Sequence, residues 1–538
     1  MKFRIPSNGL SSNTLICLVA LFLVAGCNLT FFAGLLKIYS LSGQQALYLG
    51  SLVLAFVAIN ILILALAGFG RMTKPVLIVI VLLSSLAAYF MDSYGIVLSD
   101  EMLQNAVQTN AAETLDLVTG KLVVYFMLLG VLPAIAIARI PVRWRGWRRE
   151  LISRAGLIVL VIVIVAVVVM TFSSFYASFL REHKSLRGYA NPAYFIYSAI
   201  KYANQTFTTK NSQALTVIGA DAHIPSTDLG RELIILVVGE TARADRFSIN
   251  GYERDTTPQL RAAKVVSFTN YWACGTSTAI SVPCMFSMSG MEKFDLKTAG
   301  SQENLLDVLV HAKVNVLWMD NNSDSKGVAI RVPYQSFRSP EHNPLCDSEC
   351  RDEGMLLKLQ DYIDSHPKGD IFIVIHQMGN HGPAYFKRYP PNFEKFRPAC
   401  QSNDLSSCSN EEIGNAYDNA ILYTDYFLGK TIELLKRNDA GFETALFYLS
   451  DHGESLGEKG IYLHGLPKAI APDSQLHVPA VIWLGSGFDD VDIPALMKKR
   501  NARFTHDNMA HTVLGFMEIK AKLYRPELDI LDGCRKPE

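Results

Sequence analysis

The sequence predicts an N-terminal membrane domain of five transmembrane helices followed by an α/β domain with a mostly parallel sheet flanked by helices. Three observations lead there. Nearly all the long apolar runs lie before Phe175. Beyond Gly230, short apolar runs alternate with amphipathic segments, the pattern of strands and helices stacked in layers. Several of those runs end in a residue able to bind a metal or a phosphate. A chain of 538 residues is also too long for one hydrophobic core. The expected division is 1–172 for the membrane domain, 173–229 for interfacial helices and a linker, and 230–538 for the α/β domain.

The expected spans are Thr14 to Leu36, Ala46 to Gly68, Val76 to Phe90, Leu122 to Ala138 and Ala155 to Phe172, each apolar and about long enough to cross a bilayer. Lys2 and Arg4 precede the first, Arg71 and Lys74 separate the second from the third, and six arginines from Arg139 to Arg154 lie between the fourth and fifth. Positive loops stay in the cytoplasm, so the N-terminus is cytoplasmic and everything after Phe172 lies outside, which in a bacterium with two membranes is the periplasm. Val24-Ala25-Gly26-Cys27 resembles a lipoprotein cleavage box, but the apolar character continues through Leu29, Phe31, Phe32 and Leu35, so the segment is expected to remain a span. In the acidic external loop, Asn105, Thr109 and Glu113 recur every four residues and would share one face of a helix. Such a face is either solvated or able to hold a lipid headgroup.

After the last span, aromatic residues such as Phe175, Tyr176 and Tyr189 mix with Arg181, Lys184 and Arg187, as suits one or two helices at headgroup depth, and 211–230 reads as a connector. Lys+Arg and Asp+Glu are both 50, so the charge balance suggests no nucleic-acid partner. The cysteines Cys274/Cys284, Cys346/Cys350 and Cys400/Cys408 are close pairs in loop-like contexts, expected as disulfides in an oxidising compartment. A zinc–thiolate site would call for a C-x-x-C pair, and none is present. Cys534 is left over, expected as a free thiol near a loose C-terminus.

In the α/β part, Leu233 to Val238, Val314 to Trp318, Ile371 to Ile375, Ala445 to Leu449 and Val478 to Leu484 read as strands. Leu305 to His311 and Tyr417 to Leu435 read as helices, and Pro479 argues that the last strand is short or at an edge. The first four strands run into Glu240, Asp320, His376 with His381, and Asp451-His452. Ligands of open α/β sheets bind beyond the carboxyl ends of strands, so these groups should converge on one rim as a metal or phosphate site. Carboxylates and imidazoles suit Zn²⁺. Between the first two strands, Cys274-Gly275-Thr276-Ser277-Thr278-Ala279-Ile280-Ser281-Val282-Pro283-Cys284 reads as a hydroxyl-rich helix start clamped by a disulfide. There, backbone N–H groups favour an anionic phosphate and a metal could activate a hydroxyl as nucleophile. Spacing alone leaves Thr276, Ser277, Thr278 and Ser281 open.

Gly239-Glu240-Thr241, Asn250-Gly251-Tyr252-Glu253-Arg254, the Cys274-to-Cys284 stretch, Asp320-Asn321-Asn322-Ser323-Asp324-Ser325-Lys326-Gly327, His376-Gln377-Met378-Gly379-Asn380-His381-Gly382-Pro383 and Asp451-His452-Gly453-Glu454-Ser455-Leu456-Gly457-Glu458 resemble the motifs of lipid A phosphoethanolamine transferases. That family includes the mobile colistin-resistance enzymes and belongs to the alkaline phosphatase/sulfatase superfamily, so the resemblance implies an alkaline-phosphatase/sulfatase-like periplasmic domain. It implies that Thr278 is the nucleophile and that Glu240, Thr278, Asp451 and His452 hold a catalytic Zn²⁺. His381 and His464 would contact substrate phosphate or a second Zn²⁺. Asn105, Thr109, Glu113, Ser323 and Lys326 match positions implicated in holding phosphoethanolamine, with Lys326 also placed to assist catalysis. The Cys346/Cys350 loop is shorter than in the mobile resistance enzymes, so contacts near it do not carry over.

The resemblance further implies a monomeric inner-membrane enzyme that takes phosphoethanolamine from phosphatidylethanolamine through a phospho-threonine intermediate and gives it to a phosphate of lipid A. That change lowers outer-membrane negative charge and confers resistance to polymyxin. Alternatives are another acceptor, such as core sugar, glucan or a protein, or a periplasmic phosphatase or sulfatase. Against a sulfatase, Ser281-Val282-Pro283-Cys284-Met285 lacks the arginine of the usual Cys/Ser-x-Pro-x-Arg motif. A non-catalytic sensor is disfavoured, because structural zinc sites are usually closed by Cys and His.

Overall fold

The computed structural model describes residues 9–109, 111–209, 215–228 and 230–536, with the side chains of 111–113, 174, 177, 178, 181, 184, 185 and 205–209 outside the description. The chain divides into two compact units, one of residues 1–103 with 118–204 and the other of 104–117 with 205–538. The expected boundaries at 172 and 229 follow composition, whereas the contacts divide the chain at 204 and assign 104–117 to the α/β unit.

Among the described residues of the first unit four helices are long and apolar enough to cross a membrane: Gly43–Ala67, Gly70–Tyr94, Gly120–Arg139 and Trp147–Thr171. The expected first span is two helices, Ser12–Gly26 and Leu29–Ile38, bent by 61°, so the count reaches five only if the bent pair is one span. Its break has a partner that hydropathy does not report. Buried Asn28 donates to the carbonyls of Leu23 and Asn191 and accepts from the Asn191 N–H, satisfying backbone groups that a bend would leave bare. After the last long helix come three shorter ones, Ser173–Glu182, Lys184–Arg187 and Ala193–Thr209, where one or two were expected. Phe175, Tyr176, Phe179 and Leu186 pack on Phe31, Leu52 and Phe56 of the apolar helices, which is why this aromatic segment belongs to the first unit.

The second unit is built on an eight-stranded sheet. In chain order its strands are β1 (Glu232–Gly239), β2 (Val266–Trp272), β3 (Asn315–Asp320), β4 (Tyr334–Ser336), β5 (Ile371–His376), β6 (Glu443–Ser450), β7 (His477–Leu484) and β8 (Phe504–Thr505). Their spatial order is β8-β2-β7-β6-β1-β5-β3-β4. All neighbours are parallel except at β7, which runs antiparallel to both β2 and β6. β1 is buried along its whole length, as expected of an apolar run covered on both faces. Ile234, Leu236, Val238, Phe372, Val374, Phe447 and Leu449 share one core with the helices Leu305–His311 and Asp507–Phe516. The long helix Asn410–Asn438, started by a Ser409/Glu412 capping box, packs against β6.

Pro479 does not put β7 at an edge. The β7/β2 register shifts between Val478 and Ala480, so the residue that cannot donate sits at a bulge inside the sheet. Strands β2, β4 and β8 were not expected from the sequence; β2 carries the mixed run Val266-Ser267-Phe268-Thr269-Asn270, and β8 has only two residues. Cys534 is buried and anchored, its carbonyl accepting from the Asp492 N–H at 2.7 Å, so the C-terminus is tied down there. The described part of the 211–230 connector lies on the same unit: Thr216 bridges to Ser301 and Glu303, and His223 to Lys520.

Candidate active site

Strand register brings the site together. Asp320 pairs with His376, His376 with Val238, and Val238 with Leu449, so β3, β5, β1 and β6 end level with one another. Glu240 after β1 and Asp451-His452 after β6 converge at that rim, where all three are buried and each offers a ligand atom within 4.8 Å of the others. Gly453 lets the next turn close, since a Cβ there would meet the Ser474 carbonyl oxygen at 2.1 Å. Thr241 adopts a left-handed φ of 53°, costly for a β-branched residue, and is held there by Tyr417, whose hydroxyl donates to the Thr241 carbonyl at 2.6 Å.

The donor set asks for a cation. His452 Nδ1 bonds the Gly453 carbonyl at 2.9 Å, so that nitrogen carries the proton and Nε2 presents its lone pair. That Nε2 stands 3.4 Å from Glu240 Oε1 and 3.3 Å from Asp451 Oδ2, and neither carboxylate oxygen has a hydrogen-bond partner among the described residues. Three lone pairs facing one another in a buried site repel unless a positive ion lies between them. Burial, with Asp451 beside it, pushes Glu240 up to about 7; burial pushes Asp451 up to about 6; burial, with His464 near, pulls His452 down to about 4.

Tertiary contacts also separate the four candidate hydroxyls. Thr276 donates to the Leu466 carbonyl at 2.6 Å, Ser281 accepts from the Gly275 N–H at 3.1 Å, and buried Ser277 Oγ has no partner among the described residues. Thr278 Oγ1 lies 3.1 Å from Glu240 Oε2 and 3.3 Å from His452 Nε2. Thr278 opens the helix Thr278–Phe286, whose first-turn N–H groups favour an anion beside that hydroxyl. The Cys274–Cys284 disulfide closes this loop; Cys346–Cys350 and Cys400–Cys408 are formed as well.

A second layer of imidazoles lies against the first. The His464 ring centroid is 4.4 Å from that of His452 and 5.3 Å from that of His381. Burial would lower His464, but the Glu454 carboxylate, 2.7 Å from its Nδ1, outweighs this and holds it up at about 9. Burial and neighbouring His464 and Arg388 push His381 well down, and its Nδ1 has no partner among the described residues.

This arrangement accompanies a close likeness to known proteins. Phosphatidylethanolamine transferase Mcr-1 of Escherichia coli is 42% identical over 518 residues, covering 94% of this chain and 95% of the relative. The chain belongs to the phosphoethanolamine transferase family. Phosphoethanolamine transferase EptA of Salmonella typhimurium is 40% identical, with 96% of each chain covered. The family model described as phosphoethanolamine transferase EptA/EptB matches residues 56–207, and the sulfatase model matches 232–519. The integral membrane lipooligosaccharide phosphoethanolamine transferase A of Neisseria meningitidis superposes with a TM-score of 0.93 at 34% identity, covering 98% of this chain and all of that one.

For this transferase, the remaining expected residues divide. Ser323 and Lys326 follow Asn322, whose Nδ2 donates to Glu240 Oε2 at 2.7 Å. Lys326 Nζ donates to the Ser323 carbonyl at 2.7 Å and reaches the Gln108 carbonyl at 3.4 Å. Asn105 and Thr109 do not share one continuous helix with Glu113. The helix Asp100–Gln108 ends before a second one, Ala111–Asp116, and Thr109 turns its hydroxyl onto the Asn105 carbonyl at 2.8 Å. The Glu113 side chain lies outside the described residues. Sequence reading missed the supporting layer: Asn322, which orients Glu240; Glu454 and Tyr385, which hold His464; and His506, which joins Cys274 to Ser450. Asn322 and Glu454 stand inside the quoted motifs, two residues after Asp320 and His452, without a role assigned to them there, and nothing in the sequence marked His506.

Proposed function

We propose that this enzyme transfers phosphoethanolamine from phosphatidylethanolamine to a phosphate of lipid A at the bacterial inner membrane, with its catalytic unit in the periplasm, and that Thr278 carries the group between them. The observation that carries this reading is the Thr278 hydroxyl hydrogen-bonded to Glu240 inside a buried Glu240/Asp451/His452 cluster. Glu240, Asp451, His452 and Thr278 would hold one Zn²⁺, whose carboxylate, imidazole and hydroxyl donors suit that ion. When bound, it supplies positive charge that lowers the hydroxyl pKa and offsets charge on the phosphoryl oxygens.

In the first step the Thr278 Oγ–P bond forms as the bond from phosphorus to the diacylglycerol oxygen breaks. The hydroxyl proton leaves along the bond to Glu240 Oε2, and the departing oxygen takes a proton from the His381/His464 side. In the second step a lipid A phosphate oxygen attacks the same phosphorus, and Thr278 Oγ leaves and recovers its proton. First-turn N–H groups of the Thr278 helix and the Lys326 ammonium stabilise the phosphoryl charge in both steps. Asn105, Thr109, Glu113 and Ser323 are read as holding the ethanolamine end, and His381 with His464 as the place of a second Zn²⁺ if one joins.

Purified full-length enzyme incubated with phosphatidylethanolamine should gain the mass of phosphoethanolamine on the peptide containing Thr278. Persistence of that adduct in Thr278→Ala overturns the assignment. Lipid A from cells carrying the gene should gain the same mass, and an unchanged lipid A points to another acceptor.

A further inference from the structure

Residues 104–117 lie in sequence between apolar helices, yet they pack with the catalytic unit. Cations pin them there. Lys326 Nζ reaches the Gln108 carbonyl at 3.4 Å. Further on, the buried Asp116 carboxylate takes Lys387 Nζ on Oδ1 and Arg388 Nη2 on Oδ2, the latter at 3.2 Å, while the Asp116 carbonyl accepts from Asn403 Nδ2 at 2.7 Å.

Arg388 is also buried, and its guanidinium serves three elements at once. Nη2 holds Asp116, Nε donates to the His381 carbonyl at 2.6 Å, and Nη1 donates to Glu349, which lies inside the Cys346–Cys350 loop. A guanidinium presents its donors in one rigid plane, so a single group sets the spacing of all three. A lysine could not make this junction. Loss of Asp116 would leave the buried Arg388 with Glu349 as its carboxylate partner and would take from residues 104–117 their buried anchor on the catalytic unit.

We propose that Arg388 and Asp116 form a positioning latch for donor binding: the pair keeps the segment carrying Asn105 and Thr109 docked on the catalytic unit while fixing the peptide of His381. The latch rests on the reading that Asn105 and Thr109 hold the phosphoethanolamine end. Neither latch residue need touch substrate. The Asp116 half acts on where the segment stands when the lipid arrives and leaves the Arg388–His381 bond in place, so its loss should appear in KM rather than in kcat.

The test uses full-length enzyme in lipid nanodiscs with phosphatidylethanolamine as donor. Asp116→Asn should raise KM about tenfold with kcat held within about twofold, and Asp116→Glu should return KM to within about threefold of the native value. In the same Asp116→Asn preparation, hydrogen exchange of peptides from 104–117 should speed about tenfold while peptides of the central strands stay unchanged. An unchanged KM and unchanged exchange overturn the latch, as does faster exchange spread over the whole catalytic unit with a falling kcat. Asn105→Ala separates the two readings. If it raises KM and Asp116→Asn does not, the latch fails and the headgroup reading stands; if Asn105→Ala leaves KM unchanged, the headgroup reading fails and the donor-binding latch fails with it.

Discussion

Asn322 donates its side-chain amide to Glu240 Oε2 at 2.7 Å and to the Gln377 carbonyl at 2.7 Å, tying a cluster carboxylate to the loop after β5. Such outer partners orient ligands and are worth about 10–100-fold in metal affinity. Asn322→Ala should therefore weaken binding of the proposed metal ion by about that factor, measured by competition with a chromogenic chelator. An unchanged affinity would show that Glu240 is oriented without it.

The Cys274–Cys284 bridge closes a short loop that begins just before the Thr278 helix, with a sequence separation of 10. Replacing both cysteines by serine should cost about 2–4 kcal/mol of stability, seen as a lower thermal midpoint of the full-length enzyme. Turnover should fall further than stability accounts for, because the position of Thr278 Oγ1 is set by that loop. Equal activity at a temperature where both proteins are folded would refute this.

His506 accepts from the Cys274 N–H on Nδ1 at 3.0 Å and bonds the Ser450 carbonyl through Nε2 at 3.1 Å, so both ring nitrogens are used in the neutral form. Burial pulls it from 6.5 down to about 3. Between those values the unfolded chain binds the proton and the folded chain does not, so stability is fully present above pH 6.5 and declines as pH falls toward 3. The contribution lost by pH 5 is about 2 kcal/mol. His511, pulled down to about 4 by burial and Arg525, adds a loss of the same sign. In thermal melts from pH 7 to pH 5, His506→Asn should show a shallower fall than the native enzyme; an identical slope would exclude His506 as a source.

Tyr385 donates to Glu454 Oε1 at 2.6 Å while Glu454 Oε2 holds His464 at 2.7 Å. Tyr385→Phe removes one donor from a fully buried carboxylate and should cost about 1–3 kcal/mol. Because Glu454 then leans on His464 alone, the pH dependence of kcat should also shift. A lower thermal midpoint with an unmoved pH profile would confine Tyr385 to stability.

Much of the fold was legible because it is written locally. The helix Leu305–His311 was expected at its observed bounds, and its Asn304/Asp307 capping box explains why the helix starts cleanly at Leu305. The central strands β1, β3, β5 and β6 were legible as apolar runs, and so was the convergence of their ends, because parallel strands in register must finish on one side. The bent first helix pair was not legible, since hydropathy reports burial in an apolar phase and is blind to Asn191 satisfying a break 163 residues away. Nor was the inner position of β7, where a local rule about proline gave way to a bulge formed by a neighbouring strand.

By itself the sequence determined that apolar helices precede an α/β unit, that glutamate, aspartate and histidine end its strands, and that a hydroxyl-rich turn lies between paired cysteines. Composition and periodicity act through nearest neighbours along the chain, and these features need nothing more. Tertiary structure decided which hydroxyl meets Glu240, which amide orients that carboxylate, and that residues 104–117 pack with the catalytic unit through Arg388. Those choices depend on hydrogen bonds and ion pairs between groups 38, 82 and 272 residues apart, and only the folded sheet and its loops bring such groups within 3.2 Å.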